Sequence, residues 1–249
     1  MRVFENKFKL IAFPVYYLIH NNIFFGLIQK YIFKVFKYKN FQFDIQNIKL
    51  PIGYYSSFFW KTYELNDRVV LEKNLTTKNR CIIIGGGIGF IGVLSYHLTK
   101  NKIYIFEINK DIANSLKKNL NKNKTKFKIF FNNLTLSENF KNNFYFDSAN
   151  FLTNSLYRKT KKKVVFKNLF FKKITNFESF NTLIIDGEGI EDHYISNIQK
   201  LKNIKYLIFE FHNDILDASK KKRLFNKLKK NKFIMKDEFI NSFYFEKIS

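Results

Sequence analysis

Closely spaced glycines follow a short apolar run in this chain, and an acid follows the next apolar run about twenty residues later. The first run leads into Gly85, Gly87 and Gly89, and the second, Ile103–Phe106, leads into Glu107. Glycines let a backbone turn sharply and approach a ligand, because a Cβ there would collide with it. A carboxylate at Glu107 is suited to accept hydrogen bonds from the two hydroxyls of a ribose. The pattern predicts a site for an adenosine-containing molecule, and the alternative is a tight strand-to-helix turn beside a surface acid.

Alternating strand and helix patterns surround these residues. The predicted elements are a helix near 67–74, strands at 81–84, 103–106 and 127–131, helices at 90–99 and 112–120, an irregular insertion from 132 to about 180 with a strand at 164–166, a strand at 182–185, a helix across 195–201, a strand at 206–211, a helix near 221–230, and strands at 233–235 and 242–245. This alternation predicts an α/β fold with a doubly wound, mostly parallel sheet. The last two strands have no helix between them, so they are expected to form an antiparallel C-terminal hairpin.

Composition limits the other classes of function. A chain of 249 residues fits one large α/β domain. Its formal charge of +24 comes from lysines scattered along the sequence, so no nucleic-acid partner is predicted. The single cysteine, Cys81, excludes an intrachain disulfide and a cysteine zinc cluster, and a cytoplasmic location is expected. His193 and His212 are far apart without ligand spacing, so no metal site is predicted.

The N-terminal region is apolar and basic. Residues 10–29 carry no charged side chain, but Pro14 and Asn21 make a membrane span a poor interpretation. We expect a small helical attachment over residues 1–52, ahead of the main domain at 53–249. This attachment is expected either to pack on the main domain or to contact an anionic membrane surface peripherally.

Several blocks of the chain match one known family in order. The blocks are Tyr63-Glu64, Gly85-Gly86-Gly87-Ile88-Gly89, Phe106-Glu107-Ile108-Asn109, Asn119 with Asn123, Ile185-Asp186-Gly187-Glu188-Gly189-Ile190-Glu191, and Ile208-Phe209-Glu210-Phe211-His212. With these blocks the chain resembles the FkbM-type family of S-adenosylmethionine-dependent methyltransferases. The family usually has Asp at the position of Ile83 and Lys at the position of Ile184, and this chain departs from it at both.

The resemblance implies a seven-stranded, Rossmann-like sheet of the class I methyltransferase type and S-adenosylmethionine as cofactor. It implies that Gly85, Gly87 and Gly89 form the loop against the methionine portion of the cofactor and that Glu107 holds the ribose hydroxyls. Asn133, just past the third strand of the domain, is the candidate for the adenine side.

The resemblance also directs attention to the acids after the later strands. Asp186 and Glu188 are the candidates for a base or a substrate-orienting group, with Glu191, Glu210 and His212 as second choices. Each of these carboxylates can alternatively be a helix cap or a turn residue. The implied reaction is methyl transfer, with the expected acceptor a small-molecule or sugar hydroxyl.

Two other functions stay open on the sequence. Gly87, Gly89 and Gly92 also satisfy the Gly-x-Gly-x-x-Gly pattern of an NAD-type oxidoreductase, in which Glu107 has the same ribose role. The second alternative is a degenerate, non-catalytic methyltransferase fold that binds at a membrane surface, which Ile83 and the basic, aromatic N-terminus favour.

Overall fold

A computed structural model of the chain describes residues 22–137, 143–146, 162–165, 168–174, 177–187, 189–213 and 216–248. In chain order its strands are β1 Val35–Tyr38, β2 Phe41–Asp44, β3 Cys81–Ile84, β4 Ile103–Phe106, β5 Phe127–Phe130, β6 Asn133–Thr135, β7 Asn143–Phe146, β8 Lys162–Val165, β9 Asn168–Phe170, β10 Thr182–Ile185, β11 Tyr206–Glu210, β12 Phe233–Phe239 and β13 Ser242–Lys247. Its α-helices are α1 Ile23–Leu27, α2 Ser56–Phe59, α3 Leu65–Asn74, α4 Phe90–Thr99, α5 Ala113–Lys122, α6 Glu191–Ser196 and α7 Ala218–Lys230.

Seven strands form the central sheet, in the order β12-β13-β11-β10-β3-β4-β5. Strand β13 is antiparallel to both of its neighbours, and the pairs among β5, β4, β3, β10 and β11 are parallel. Counted from β3 as the first, the strand order is third, second, first, fourth, fifth, seventh, sixth. This is the sheet of a class I methyltransferase, so the predicted fold class and the antiparallel C-terminal hairpin are confirmed.

The central strands are apolar along their whole length because both faces of the sheet are covered. Every residue of β3 and of β10 is buried. Alternate residues point to opposite faces, so Ile83 joins a core with α4 and α5, whereas Ile82 joins a core with α6 and α7. The glycines and acids that follow these strands are thereby held at one rigid edge of the sheet.

Several predicted boundaries differ from the structure, among them those of α6 and of the elements within the insertion. The helix predicted across 195–201 begins earlier, as α6 at Glu191, and it is followed by a 3-10 turn at Ile198–Lys200. Glu191 and Asp192 lie in the first turn of α6, where carboxylates favour the helix N-terminus. Within the predicted irregular insertion, β6 and β9 pair in parallel and β7 and β8 pair as antiparallel strands.

The N-terminal attachment is not wholly helical, so the prediction for residues 1–52 was wrong in this respect. Residues 35–44 form a hairpin of β1 and β2, because Phe and polar residues alternate there with the period of a strand. Phe36 and Phe43 are buried in this hairpin and contact the ring of Phe90 at the start of α4. The hairpin therefore packs directly on the helix that follows the glycines.

Asn119 of α5 and Asn123, which directly follows this helix, hold the hairpin through its backbone. Asn119 Oδ1 accepts a hydrogen bond from Asp44 N, and its Nδ2 donates to the carbonyl oxygens of Asp44 and Ile88. Asn123 bonds the N–H and the carbonyl oxygen of Gln42 in the same way. Since Ile88 belongs to the glycine-rich turn, Asn119 links the hairpin to that turn.

Helix α1 and the π-helical turn Ile28–Phe33 expose several large apolar side chains. The exposed residues are Ile23, Phe24, Leu27, Tyr31, Ile32 and Phe33. Among the residues that the structure describes, no helix combines the length and the apolar character needed to cross a membrane. The described attachment therefore presents an apolar surface without a spanning helix.

Candidate functional site

The glycine loop, residues 85–89, connects β3 to α4 at the carboxyl edge of the sheet. Gly85, Gly87 and Gly89 have φ angles of 90°, 48° and 94°, a region that glycine adopts far more readily than other residues. A Cβ on Gly85 would lie 1.8 Å from the carbonyl oxygen of Asp186, so this glycine permits direct contact with the end of β10. Among the described residues, a Cβ on Gly87 would meet only the Tyr63 hydroxyl, at 3.5 Å. A Cβ at Gly87 would therefore reach ordinary contact distance of Tyr63 and overlap none of the described residues.

Glu107 follows β4 and closes one side of the glycine loop. Its Oε2 accepts hydrogen bonds from the N–H groups of Gly86 at 2.8 Å and Gly87 at 3.2 Å. Its Oε1 accepts one from Asn109 N at 2.6 Å. Burial raises the pKa of Glu107 above its ordinary value, and these backbone N–H groups act in the opposite direction. One carboxylate oxygen can accept two hydrogen bonds, so Oε1 retains capacity for a hydroxyl donor.

Four carboxylates, Glu64, Asp67, Asp186 and Glu210, form an acid cluster at the same edge. One oxygen of each lies within 4.8 Å of the corresponding oxygens of the others. The first two come from the N-terminal end of α3, and the last two come from the ends of β10 and β11. At an effective dielectric constant of about 20, two negative charges this close repel by at least about 3 kcal/mol. The cluster therefore requires protons, hydrogen-bond donors or a cation among its oxygens.

Hydrogen-bond donors satisfy only part of this requirement. Ser242 donates to Oδ1 of Asp67, and Asn66 Nδ2 donates to Oε1 of Glu210 at 3.1 Å. Asp67 is 2% exposed, and within the described part of the chain its Oδ2 is buried without a hydrogen-bond partner. A buried acceptor without a donor is costly, so Oδ2 of Asp67 marks a place where a proton or a ligand belongs.

Protons are favoured in this cluster because Asp67 is buried and the other three carboxylates are only half-buried around it. Burial raises the pKa of Asp67 well above its ordinary value, and the charges of Glu210 and Asp186 raise it further. Burial also raises the pKa of Glu64, with Asp67 and Glu210 adding to the effect. Tyr63 donates a hydrogen bond to Glu64, and burial raises the pKa of this phenol well above its usual range. Tyr63 thus connects the glycine loop to the acid cluster.

His212 lies between the acid cluster and a second buried acid. Glu191, whose side chain is 0% exposed, accepts a hydrogen bond through Oε1 from His212 N at 3.1 Å. The same Oε1 lies 3.2 Å from Nδ1 of the His212 ring. On the other side of the ring, Nε2 lies 3.9 Å from Oε2 of Glu210. Glu191 therefore orients the imidazole of His212 toward the cluster.

The structure brings most of the predicted site residues together. The glycines of the loop contact Glu107 and Asp186, and Glu210 and His212 lie beside Asp186. Glu188 lies outside the described residues, so its role stays a prediction. Asn133 is buried in β6 and its Nδ2 donates to Oδ1 of Asn168 at 3.3 Å, and its role toward the adenine stays a prediction as well.

Sequence reasoning missed Asp67, and it assigned Tyr63 and Glu64 no chemical role. A local signal for Asp67 existed, because Asp67, Val70 and Leu71 have the spacing of one helix face and all three are buried. An acid on an otherwise apolar helix face indicates a buried polar site. Its partners could not be named, because they come from strands more than a hundred residues away in the sequence.

The two departures from the family pattern are neighbours in space. Ile83 in β3 and Ile184 in β10 are directly opposite each other in the parallel register. Both are buried in the same core. The positions that the resemblance would fill with Asp and Lys therefore hold one packed apolar pair in this chain.

Comparisons with known proteins give distant similarities. No protein-family profile matches the chain, and no curated protein matches it. Among solved structures, the chain is similar to the ribosomal protein L11 methylase from Lactobacillus delbrueckii subsp. bulgaricus, at 12% identity and a TM-score of 0.46 over 76% of this chain and 79% of that chain. It is similar to M. capricolum TrmK in complex with S-adenosyl-homocysteine, at 12% identity and a TM-score of 0.45 over 72% of this chain and 65% of that chain. It is also similar to a SAM dependent methyltransferase from Aquifex aeolicus, at 11% identity and a TM-score of 0.45 over 76% of this chain and 93% of that chain. The class I methyltransferase fold of this chain rests on the strand order of its own sheet.

Proposed function

We propose that this chain is an S-adenosylmethionine-dependent methyltransferase of the FkbM type that methylates a hydroxyl of a small molecule or a sugar. The observation that carries this proposal is the glycine loop joined to Glu107 in a sheet with β13 inserted beside β11. This loop and this acid lie at the sheet edge where open α/β folds bind their ligands.

The residues present fit an adenosine cofactor. No described atom would overlap a Cβ at Gly87, so a ligand would be able to approach the loop backbone there, beside the Tyr63 hydroxyl. Glu107 would accept a hydrogen bond from one ribose hydroxyl through Oε1 while Oε2 keeps the loop closed. When bound, S-adenosylmethionine supplies an electrophilic methyl group on a positively charged sulfur. The negative potential of the neighbouring acid cluster favours a cation at this edge.

The acids beside the loop supply the remaining requirement, which is removal of a proton from the acceptor. Asp186 is the first candidate because its backbone contacts Gly85 and its carboxylate belongs to the acid cluster. It would accept the hydroxyl proton directly or orient the hydroxyl for a second carboxylate. Glu188 remains a proposed partner in this role from its motif, and Glu210 is the alternative that the acid cluster supports.

An NAD-type oxidoreductase is less well supported by the strand order. A dinucleotide-binding sheet follows its first mononucleotide half with a second, in the order 3-2-1-4-5-6. In this chain β13 lies antiparallel between β11 and β12. The hairpin therefore takes the place of the sixth parallel strand, whereas β10 and β11 occupy the fourth and fifth places.

The alternative of a non-catalytic methyltransferase fold was favoured by Ile83, and the structure shows where this residue lies. Ile83 and Ile184 form a single apolar pair inside the core, away from the loop surface. A buried ion pair replaced as a whole by packed apolar residues is often neutral or stabilising. The two isoleucines are therefore compatible with a stable core, and cofactor titration tests whether a site without the Asp and the Lys binds its ligand. Peripheral membrane contact through the exposed apolar residues of α1 is a separate proposal, tested by sedimentation with anionic vesicles.

Calorimetric titration of the full chain with S-adenosylhomocysteine, and separately with NADH, tests the proposed cofactor. Binding of S-adenosylhomocysteine together with no heat from NADH supports the methyltransferase. Binding of NADH alone would identify the glycine loop as a dinucleotide site and favour the NAD-type oxidoreductase. No binding of either compound would overturn both enzymatic functions and leave the non-catalytic fold.

A further inference from the structure

The acid cluster and His212 together present a set of donor atoms suited to a metal ion. Oxygens of Asp186 and Glu210 and a ring nitrogen of His212 lie within 4.8 Å of one another. Asp186 and Glu210 also belong to the four-carboxylate group that includes Glu64 and Asp67. The sequence predicted no metal because His193 and His212 lack ligand spacing, and folding instead surrounds His212 with acids from other segments.

Two observations beyond the presence of acids point to a cation. The first is the side chain of Asp67, which is 2% exposed and contributes one oxygen to the acid cluster. Its Oδ2 has no hydrogen-bond partner among the described residues. The second is the contact between Nδ1 of His212 and the buried carboxylate of Glu191. Metal-binding histidines commonly donate their other ring N–H to a carboxylate in this manner.

The orientation of His212 strengthens this second observation. A carboxylate only accepts hydrogen bonds, so the contact with Glu191 favours the tautomer that carries hydrogen on Nδ1. The lone pair then belongs to Nε2, which lies 3.9 Å from Oε2 of Glu210. A lone pair directed at a carboxylate is unfavourable, and a cation between the two groups is one arrangement that relieves the repulsion.

We propose that Asp186, Glu210 and His212 bind a hard divalent cation of the Mg²⁺ or Mn²⁺ class, with Asp67 and Glu64 as the carboxylates on its inner side. Carboxylate oxygens suit these ions, and one imidazole is compatible with Mn²⁺. Neighbouring ligands of an octahedral ion of this class lie about 3 Å apart. Nε2 of His212 lies 3.9 Å from Oε2 of Glu210, so these two side chains must approach each other by about 1 Å to share the ion. A site of this kind would lie beside the glycine loop at the carboxyl edge of the sheet.

Metal binding by the protein alone is independent of the proposed methyl transfer, so it is measured without cofactor or acceptor. The full chain, stripped with EDTA and dialysed, is titrated calorimetrically with MnCl₂, and separately with MgCl₂ and CaCl₂. We expect saturable binding of one Mn²⁺ per chain. Asp186→Asn and Glu210→Gln should each weaken the binding at least tenfold, and Glu191→Gln should weaken it through the orientation of His212. Glu178→Gln, at an exposed acid, is the matched control and should bind as the unaltered chain does.

A spectroscopic measurement on the unaltered chain keeps the assignment testable if a variant does not fold. Pulsed electron paramagnetic resonance of bound Mn²⁺ should detect coupling to the nitrogen of one directly bound imidazole, and His212→Gln should abolish it. No binding of any of the three ions at millimolar concentration would overturn the site. Equal Mn²⁺ binding by the unaltered chain and by folded Asp186→Asn and Glu210→Gln variants would overturn it too, as would bound Mn²⁺ without nitrogen coupling.

Discussion

Replacement of Glu107 by glutamine separates the two tasks of this residue. Oε2 of the carboxylate accepts hydrogen bonds from the N–H groups of Gly86 and Gly87, and Oε1 accepts one from Asn109 N. A glutamine side chain of the same shape has one carbonyl oxygen, so it can accept hydrogen bonds either from the two glycine N–H groups or from Asn109 N, but not from both. Its amide N–H₂ then faces a backbone N–H that has lost its acceptor.

The expected magnitudes follow from these hydrogen bonds. One buried N–H without an acceptor costs about 1 to 3 kcal/mol, so Glu107→Gln should lower the free energy of unfolding by about that amount. Loss of a charged acceptor for ribose hydroxyls should weaken S-adenosylhomocysteine binding by about 10- to 100-fold. Glu107→Ala removes the acceptor of all three N–H groups, and we expect a larger loss of about 3 kcal/mol or more.

Urea unfolding measures the first quantity and calorimetry the second, with Glu178→Gln as the control for removal of an exposed charge. If folded Glu107→Gln binds S-adenosylhomocysteine within about twofold of the unaltered chain, the ribose assignment is wrong. If its unfolding free energy is also unchanged, Glu107 does not hold the glycine loop as the structure indicates.

Three further predictions concern the loop, the core and the hairpin. Gly85→Ala should lower the free energy of unfolding by about 3 kcal/mol or more, because its Cβ would overlap a backbone carbonyl oxygen. Gly87→Ala should lower it by only about 1 kcal/mol but prevent binding of S-adenosylhomocysteine. Thermal melts measure the first effect and calorimetry measures the second. Burial lowers the pKa of His193 to about 4, and Nε2 of its ring accepts a hydrogen bond from Leu136 N. As the pH falls from 6.5 toward 4, the ring is protonated in the unfolded chain before it is protonated in the folded chain, so the folded chain loses stability. His193→Gln should therefore reduce the loss of stability between pH 7 and pH 5 by about 1 kcal/mol, measured by urea unfolding at both pH values, and an unchanged loss would contradict the neutral buried ring. Asn119→Ala should cost about 3 kcal/mol in the same assay, and a cost below about 1 kcal/mol would mean that its hydrogen bonds to the hairpin are weak.

The sheet was predictable from sequence because its central strands are buried on both faces. A strand such as Cys81–Ile84 is a short, uninterrupted apolar run, and glycines or acids end it sharply. The N-terminal hairpin was not predictable in the same way. Its aromatic residues alternate over only four positions per strand, which is too short to distinguish a strand from a helix face, and the contact with Phe90 decides between them.

The candidate site was predictable only where one segment carries it. Glu107 and the glycine loop lie about twenty residues apart, within a single strand-helix-strand unit. The acid cluster joins α3 to the ends of β10 and β11, so its composition depends on which strands are neighbours. The same dependence explains why Ile83 and Ile184 look like two separate losses in the sequence and form one pair in the sheet.

Asn119 and Asn123, at the C-terminal end of α5, also affect which surfaces of this chain can pair with a second copy. A strand at the edge of a small sheet offers unpaired N–H and carbonyl groups to any other strand, and such edges promote aggregation. Four helical residues advance about 6 Å and two strand residues advance about 7 Å, so Asn119 and Asn123 match Asp44 and Gln42 in spacing. Their side-chain amides act as a substitute strand along β2. The edge of β2 that faces away from β1 is therefore already hydrogen-bonded, so a second chain cannot pair with the hairpin at that edge.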